Sequence, residues 1–311
     1  MRVLLTGGSS FTGLWFAKAL HDAGHEVVAP IRGMRSSYEG GRAKRVAELA
    51  KVADIRDSMS FGDEAFLALT GRESFDILAH HAADVSNYRS LDFDVPGAVA
   101  NNSLSACAVI DAMQANGLKA VVVTGSVFEC DAGSGDGTRE AFSPYGLSKA
   151  LTYQVFRFWT RRAGVRLGKF NIANPFGVFE EPRFCNFLIR TWAKNEKAKV
   201  NTPLYLRDNI FVELLASHYA AFVQEMAESP VDQERGPMGF AESQGAFAQR
   251  FGAAMRPRLK LDCGLELGEQ TSFDEPLVRL NTDRLPTPEG WSDEAAWDRL
   301  AEYYLATLAA G

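Results

Sequence analysis

Short apolar runs alternate with longer amphipathic stretches through the first half of the chain. The apolar runs predict strands at Arg2–Leu5, Glu26–Ala29, Ile77–Ala79, Ala120–Val123 and Leu167–Phe170. Apolar residues recur at helical spacing between them, which predicts helices at Phe11–Ala23, Val95–Asn116 and Pro144–Ala163. Strands that carry few charges, each followed by a helix, are typical of a parallel sheet covered on both faces. The pattern therefore predicts an α/β fold with a doubly wound sheet.

The alternation breaks down after about residue 171 into irregular sequence that is interrupted by prolines and rich in aromatic residues, before a helical tail at Glu294–Ala309. We therefore predict a sheet domain over residues 1–171, with a later sheet element near 205–228. Residues 172–311 are predicted to form mainly a smaller C-terminal α/β lobe that is interleaved with the sheet domain.

Composition and charge exclude several classes of partner. The 311 residues are 46% hydrophobic, enough for a large core, and a net charge of -6 gives no electrostatic reason to expect nucleic acid or an anionic membrane. The cysteines form no CxxC pair, so we expect neither a metal site nor a disulfide framework. No signal peptide and no apolar run of roughly 20 residues is found, so the sequence predicts a cytoplasmic protein without a membrane span.

The segment TGGSSFTG, residues 6–13, lies where the first strand meets the first helix. Backbone N–H groups and a helix N-terminus converge at such a turn, where a pyrophosphate can bind. Gly7 permits the tight turn, and Gly13 lets the helix pack closely on the sheet. Ser10 stands where a third glycine is expected, and its hydroxyl is a potential phosphate donor. An ordinary turn without a ligand is the alternative for this motif alone.

The segment SPYGLSKA places Tyr145 and Lys149 one helical turn apart, on one face of a helix. An ammonium beside a phenol favours the phenolate, which would make the tyrosine a proton donor and acceptor near neutral pH. The preceding strand ends in VVVTGS, so the hydroxyls of Thr124 and Ser126 are expected at the same edge of the sheet. A Tyr and Lys at this spacing are commonly surface neighbours, but the order of turn, hydroxyl strand and Tyr-Lys pair favours an active site.

These motifs resemble the extended short-chain dehydrogenase/reductases, in particular the NAD(P)-dependent nucleotide-sugar epimerases, dehydratases and reductases. TGGSSFTG is similar to the TGxxGxxG loop of that family, with Ser10 in place of the second glycine. Tyr145 and Lys149 match its catalytic pair and Thr124 its active-site Ser/Thr, while Phe128 replaces a usual tyrosine. The resemblance implies a Rossmann-type fold.

The resemblance also assigns roles to residues at matching positions. In VADIRD it implies that Asp54, at a strand end, contacts the adenine. NPFG and RDNIFV resemble two substrate-binding segments, in which Asn174 binds the sugar nucleotide and Arg207 lies near its diphosphate. The cofactor-binding residues that it implies are Gly7, Ser10, Phe11, Thr12, Gly13, Asp54, Ile55, His81, Ala82, Ala83, Asn102, Tyr145 and Lys149. The substrate-binding residues are Ser126, Asn174, Asn186 and Arg207.

Asn209 and Phe211 depart from the RDYIHV pattern of the family, so the substrate pocket differs in detail. The family's 4,6-dehydratases carry an Asp-Glu pair after the active-site Thr, whereas this chain has Gly125 and Ser126, which disfavours a dehydratase. The resemblance implies reduction of a keto group at C4 of a nucleotide-linked 6-deoxyhexose. A nucleotide-sugar 4-epimerase with bound NAD is the alternative, and a non-catalytic NAD(P) sensor is an alternative of another class.

The residues after the second strand bear on which cofactor is used. An NAD enzyme of this fold usually ends that strand in Asp or Glu, which binds the ribose hydroxyls and repels a 2′-phosphate. Alignment puts Ile31 at that position and Arg32 directly after it, with Arg35 on the following loop. A guanidinium presents a planar fork to phosphate. The sequence therefore predicts NADP(H), with NAD(H) as the alternative.

The resemblance also implies a homodimer, because family members pack two long helices into an intermolecular four-helix bundle. The apolar residues expected in that interface are Ala98, Val99, Leu104, Val109, Leu151, Val155 and Phe158. The same residues would also suit packing against the sheet.

Overall fold

Parallel strand pairing organises the first part of the chain, and a second sheet with its own helices follows. A computed structural model describes residues 1–130, 132–135, 140–141 and 143–309. The strands in these residues are β1 (Arg2–Thr6), β2 (Glu26–Pro30), β3 (Asp54–Arg56), β4 (Ile77–His80), β5 (Ala120–Ser126), β6 (Ser134–Gly135), β7 (Arg166–Ile172), β8 (Asn174–Phe176), β9 (Ala198–Val200), β10 (Leu206–Phe211), β11 (Gln233–Arg235), β12 (Phe240–Ser243), β13 (Leu265–Leu267) and β14 (Val278–Leu280). The α-helices are α1 (Phe11–Asp22), α2 (Gly40–Leu49), α3 (Glu64–Arg72), α4 (Val95–Asn102), α5 (Ala106–Ala115), α6 (Pro144–Ala163), α7 (Phe184–Trp192), α8 (Val212–Glu228), α9 (Gln244–Leu259) and α10 (Asp293–Ala309).

The first sheet has seven strands in the order β11-β7-β5-β4-β1-β2-β3, and every neighbouring pair is parallel. The chain starts in the middle at β1, builds outward to β3, then crosses back to β4 and builds the other half. The carboxyl ends of β1 and β4 therefore border the crevice where the connections diverge, which is where ligands bind in sheets of this kind. This topology confirms the doubly wound Rossmann-type fold predicted from the sequence.

Successive residues of the central strands are buried on opposite faces of this sheet. In β1, Val3 and Leu5 join a core with α1 and α8, whereas Leu4 joins a separate core with α5 and α6. Tyr219 of α8 stacks on Phe16 of α1, with ring centroids 3.8 Å apart. Because both faces are covered, the strands carry continuous apolar sequence rather than an alternation with polar residues.

The second sheet has the order β12-β10-β14-β6, with β8 also paired to β10. Strands β9 and β13 form a separate two-stranded sheet. An aromatic core lies beside this sheet and includes Phe176, Trp192, Phe211, Phe251 and Trp297. The strand inside the expected sheet element near 205–228 is β10, and it belongs to this second sheet. Helix α8 follows β10 directly and returns the chain to the first sheet, where it packs on α1. The next strand, β11, then joins the first sheet.

The helix predicted over Val95–Asn116 is interrupted, and this part of the prediction is wrong. It is divided into α4 and α5 by residues 103–105, and Ser105 adopts the left-handed region with φ +51°. The Ser103 hydroxyl donates a hydrogen bond to the Val99 carbonyl oxygen at 2.6 Å. The Ser103 amide donates to the same oxygen at 3.0 Å, so the last turn of α4 is closed and the break follows at the left-handed Ser105.

Candidate active site

The turn between β1 and α1 leaves no room for side chains at two glycines. Gly7 has φ +75°, and a Cβ there would lie 2.9 Å from the Ala82 backbone nitrogen. A Cβ on Gly13 would collide with the Gly7 carbonyl oxygen. Both positions therefore require glycine, and the turn lies against the loop that follows β4.

The side chain of Ser10 serves as the N-cap of α1. The Ser10 hydroxyl accepts a hydrogen bond from the Gly13 amide at 3.1 Å. The first intrahelical bond runs from the Leu14 amide to the Ser10 carbonyl oxygen. The amides of Phe11 and Thr12 precede that bond and are directed outward from the helix N-terminus, where they are available to an anion.

The loop after β4 is held in place from both sides. The Thr6 hydroxyl accepts hydrogen bonds from the amides of His81 and Ala82, at 3.1 and 3.0 Å. Two residues on, past Ala83, the Asp84 amide donates to the side-chain oxygen of Asn102 at 2.7 Å. Asn102 is buried, so in this structure it fixes the loop beside the predicted cofactor site.

Two hydroxyls lie at the carboxyl end of β5, as predicted, and both are largely buried. Thr124 Oγ1 lies 3.1 Å from His81 Nδ1. The Ser126 hydroxyl accepts a hydrogen bond from the Phe128 amide at 3.2 Å. Within the described residues Thr124 makes no hydrogen bond to Tyr145, so the two predicted catalytic side chains are not directly joined.

Lys149 projects from the first turns of α6 into the interior, with 4% of its surface exposed. Burial lowers its pKa to about 8, an effect that Glu129 opposes and Lys169 reinforces. Its ammonium makes no hydrogen bond or ion pair to a protein group anywhere in the described part of the chain. A buried cation without a protein partner is costly, which is a mark of a ligand-binding site.

Tyr145 lies one turn before Lys149, partly exposed, with the rings of Tyr88 and Phe93 at centroid distances of 5.6 and 6.1 Å. Its pKa is raised, first by burial and then by the negative charge of Glu129. The sequence-based expectation was a lowered pKa beside the lysine ammonium. The phenol is instead held in its protonated form, because desolvation and a buried carboxylate outweigh the opposing positive charge of Arg183.

Sequence analysis missed a buried ion pair behind these residues. Glu129 Oε2 lies 2.8 Å from Lys169 Nζ, and both side chains are almost fully buried. Glu129 also accepts a hydrogen bond from the Ser126 amide at 2.8 Å, and Lys169 Nζ lies 4.8 Å from the centre of the Tyr153 ring. The signal was Lys169, a charged residue in the buried middle of strand β7, where a charge needs a buried partner.

The end of β2 carries no carboxylate, as predicted. Ile31 is buried and Arg32 is exposed. Arg35 is occupied, since its guanidinium forms an ion pair with Asp57 at 2.8 Å and donates to the Ile55 carbonyl oxygen. The structure therefore leaves Arg32 as the more available of the two predicted phosphate ligands.

Asp54 lies at the amino end of its strand and not at the carboxyl end, where the cofactor crevice is expected. It is the first residue of β3, half exposed, and is paired with Arg56 at 2.8 Å. Asp57 follows the carboxyl end of that strand and accepts a hydrogen bond from the Arg35 amide at 2.7 Å. The carboxylate nearest the ends of β2 and β3 therefore belongs to Asp57.

Arg207 and Asn174 come from the second sheet, where β10 pairs with β8. Arg207 is buried, its guanidinium lies 4.5 Å from the Tyr205 ring centre, and it pairs with Glu275 at 2.8 Å. Asn174 is half-buried at the start of β8. Arg279, which was not predicted from the sequence, lies opposite Arg207 in the parallel register of β10 and β14. The two arginines are therefore neighbours in the second sheet.

Arg207 also borders a cavity of about 350 Å³, open to solvent. Its lining comes from α7, β9, β10 and α9, and the residues are Phe184, Phe187, Lys199, Val200, Asn201, Thr202, Tyr205, Arg207, Gln244 and Glu275. Asn186 lies on α7 between the two lining phenylalanines but does not itself line the cavity. Tyr145 and Thr124 do not line it either, so the predicted catalytic residues do not contribute to the cavity that Arg207 borders.

Other kinds of site find little support in the part of the chain that the structure describes. It holds no cluster of three or more His, Cys, Asp or Glu side chains arranged to bind a metal ion. None of the four cysteines forms a disulfide within the described residues. None of the described helices has the length and apolar character needed to cross a bilayer.

The residues at the carboxyl edge of the first sheet fit a dinucleotide cofactor. The glycine turn admits no side chain at two positions, and the first amides of α1 face outward above it. Lys149 adds a buried ammonium with no partner among the described protein groups, suited to ribose hydroxyls. Phosphate and ribose therefore each have a matching group along this edge.

Comparison with known proteins points the same way. The sequence model of the NAD dependent epimerase/dehydratase family matches residues 3–233. A comparison with curated protein sequences finds no match.

Solved structures share the fold at low sequence identity. The UDP-glucose 4-epimerase of Stenotrophomonas maltophila, with bound NAD and formylated UDP-arabinopyranose, is 18% identical over 100% of both chains, with a TM-score of 0.76. The UDP-glucuronic acid 4-epimerase of Bacillus cereus, with UDP-glucuronic acid and NAD, is 14% identical over 99% of this chain and 100% of that chain, with a TM-score of 0.76. The dTDP-glucose 4,6-dehydratase of Streptomyces venezuelae is 18% identical over 99% of this chain and 98% of that chain, with a TM-score of 0.72.

Proposed function

Since this chain belongs to the NAD dependent epimerase/dehydratase family, we propose that it is an NADP(H)-dependent reductase of a nucleotide-linked sugar. The substrate is a 6-deoxyhexose with a keto group at C4. The observation that carries the proposal is the meeting of the glycine turn, Thr124 and the Tyr145–Lys149 pair at one edge of the sheet, together with a protonated Tyr145.

The chain's own residues supply the acid chemistry of the reaction. A nicotinamide cofactor, when bound, supplies the hydride. Tyr145 then donates its phenolic proton to the developing alkoxide, and Thr124 hydrogen-bonds the same oxygen. Lys149 binds the ribose hydroxyls through its unpartnered ammonium. Tyr145 starts in the protonated form that a reduction requires, because a phenol keeps its proton at neutral pH and burial raises its pKa further.

The substrate class rests on the second sheet and on the structural relatives. Arg207 is buried beside an open cavity, and a guanidinium is suited to a diphosphate. Asn174, Asn186 and Ser126 are proposed to bind the sugar. The relatives from Stenotrophomonas maltophila and Bacillus cereus were solved with nucleotide sugars, which supports the same class here.

The preference for NADP(H) is carried by the missing carboxylate at Ile31 and by the exposed Arg32 beside it. Nothing at that position repels a 2′-phosphate, and Arg32 is free to pair with it. Arg35 contributes less than the sequence suggested, because Asp57 already neutralises it.

A 4-epimerase that keeps NAD bound is the second candidate, supported by the epimerases with NAD among the structural relatives. A 4,6-dehydratase is disfavoured on steric grounds as well as by sequence. A Cβ on Gly125 would collide with Asn171 Oδ1 and lie 3.0 Å from Glu129 Oε1, so the dehydratase aspartate has no room there. A sensor without catalysis would bind cofactor and turn over no substrate.

Incubation of the protein with a panel of nucleotide sugars and their 4-keto derivatives separates these candidates. The reductase consumes one NADPH for each keto sugar, the epimerase interconverts two sugars with no net consumption, and the sensor does neither. Net consumption of NADPH that depends on the keto sugar supports the proposal, and epimer formation alone contradicts it.

We also propose a cytoplasmic homodimer in which the face of α5 and α6 packs against its copy, with residues 1–171 as the cofactor domain and 172–311 as mainly the substrate lobe. Four large apolar side chains on or beside these helices are exposed: Leu104, Leu147, Leu151 and Phe158. Ala98 and Val109 are buried within the monomer instead and cover the sheet. Cysteines that form no disulfide within the described residues suit a reducing cytoplasm.

A further inference from the structure

The imidazole of His81 bridges the glycine turn and the end of β5. Its Nε2 atom lies 2.9 Å from Thr12 Oγ1 and 3.1 Å from Ser10 Oγ, and its Nδ1 atom lies 3.1 Å from Thr124 Oγ1. The Phe16 ring packs edge-on against it, with centroids 5.0 Å apart. Hydroxyls at both ends and an aromatic ring at one side therefore fix the orientation of the imidazole.

The ring is neutral over the working pH range. Burial lowers the pKa of His81 to about 3, and the positive charge of Lys149 adds to the effect. A neutral imidazole has one N–H donor and one acceptor nitrogen, so the hydroxyls around it decide which nitrogen carries the proton.

Two hydroxyls lie against Nε2, and both can donate to it. The Ser10 oxygen already accepts a hydrogen bond from the Gly13 amide, and with Thr12 it can direct its O–H at His81 Nε2. With Nε2 as the acceptor, the proton of the ring stays on Nδ1 and points at Thr124 Oγ1. Thr124 then accepts from His81, and its own hydroxyl proton remains available.

We propose that His81 is a positioning residue for Thr124: it donates Nδ1–H to the threonine oxygen and so directs the threonine hydroxyl proton toward the reacting oxygen of the substrate. This inference rests on the proposed function, in which Thr124 hydrogen-bonds that oxygen. It assigns to His81 a role in orienting the active-site hydroxyl, in addition to its place beside the cofactor.

Tyr219 is the other polar group near Thr124. Its phenol is buried on α8, and burial raises its pKa, while Thr124 partly offsets that rise. Within the described residues the Tyr219 hydroxyl makes no hydrogen bond of regular geometry. His81 is therefore the partner that orients Thr124, and Tyr219→Phe serves as a matched control for loss of a neighbouring hydroxyl.

The tautomer is tested by two-bond 1H–15N correlation of the imidazoles, which is practical because the chain has five histidines. His81 is assigned by its absence in His81→Asn. The expected result is a neutral Nδ1–H tautomer in the wild type and in Tyr219→Phe, and a shifted Nδ1–H signal in Thr124→Val, because the acceptor of that proton is lost. An Nε2–H tautomer in the wild type, or unchanged signals in Thr124→Val, would overturn the proposal. This measurement needs no substrate, so it stands even if the proposed reaction fails.

Turnover provides the second test. His81→Leu is expected to lower kcat about 10- to 100-fold with a smaller change in KM, because a transition-state contact is misdirected. His81→Asn recovers most of that loss, since its amide nitrogen replaces Nδ1, whereas His81→Gln does not. In a Thr124→Val background, His81→Leu changes kcat little further. Equal losses in both backgrounds, or no rescue by asparagine, would show a merely structural role. Absence of turnover in the wild type would instead refute the proposed function.

Discussion

The buried pair of Glu129 and Lys169 is the charge interaction whose removal the structure most clearly predicts to be costly. Their side chains are 1% and 2% exposed and meet at 2.8 Å. Burial opposes the charge of Lys169, but Glu129 outweighs it and the pKa of the lysine is raised. Lys169→Met leaves the carboxylate buried without its cation, a loss of about 3–5 kcal/mol in the free energy of unfolding. The double variant Glu129→Gln/Lys169→Met removes both charges and is expected to recover most of it.

Lys119 offers a matched control, because it forms an ion pair with Asp76 at the same 2.8 Å but with side chains 49% and 28% exposed. Lys119→Met is expected to cost less than about 1 kcal/mol. Urea unfolding followed by circular dichroism measures all three variants. Two results would refute the reasoning that burial sets the cost. One is an equal loss of unfolding free energy in Lys169→Met and Lys119→Met, and the other is a double variant that is less stable than Lys169→Met alone.

The remaining predictions concern the site and the assembly. Tyr145→Phe is expected to lower turnover by roughly two to four orders of magnitude, with cofactor affinity measured by fluorescence titration near normal, because only the proton donor is lost. Arg32→Ala is expected to weaken NADPH binding and leave NADH binding unchanged, and equal effects on both cofactors would count against a 2′-phosphate contact. Lys149 gives up its proton near pH 8 in the folded chain but near its ordinary pKa of 10.5 when unfolded, so the unfolded state holds more protons between these values. Its contribution to the free energy of unfolding therefore rises with pH across that window. The unfolding free energy of the wild type minus that of Lys149→Met should rise over the same pH range, and a constant difference would contradict the shift. Leu151→Glu is expected to convert a dimer into a monomer by light scattering, and an unchanged mass would remove this face from the interface.

The inner strands of the parallel sheet could be predicted from sequence because they are largely apolar runs that the structure buries on both faces, whereas the polar edge strands β3 and β11 were not predicted. Gly7 and Thr124 could be placed from the sequence because they lie where the apolar runs of β1 and β5 end. Tyr145 and Lys149 share a face because four residues make about one helical turn. Positions fixed by local spacing were therefore within reach of the sequence.

Contacts between segments that are distant in the sequence could not be predicted from it. The pairing of Glu129 with Lys169 joins residues 40 apart, counted as 169 minus 129, and no local pattern specifies it. The Arg35–Asp57 pair joins the ends of two strands in the same way. The break at Ser105 depends on a backbone conformation that a smooth apolar periodicity conceals. Such features follow from tertiary packing, which overrides the local preferences that a sequence pattern reports.

The transfer of deuterium from NADPH deuterated at nicotinamide C4 tests the central claim most directly. Mass spectrometry of the product after incubation with a nucleotide-linked 4-keto-6-deoxyhexose reports whether the hydride reaches the sugar. A reductase predicts one deuterium in the product, one NADPH consumed for each product molecule and little product from Tyr145→Phe. A sugar epimerised without deuterium and without net consumption of NADPH would contradict the account and establish the epimerase instead.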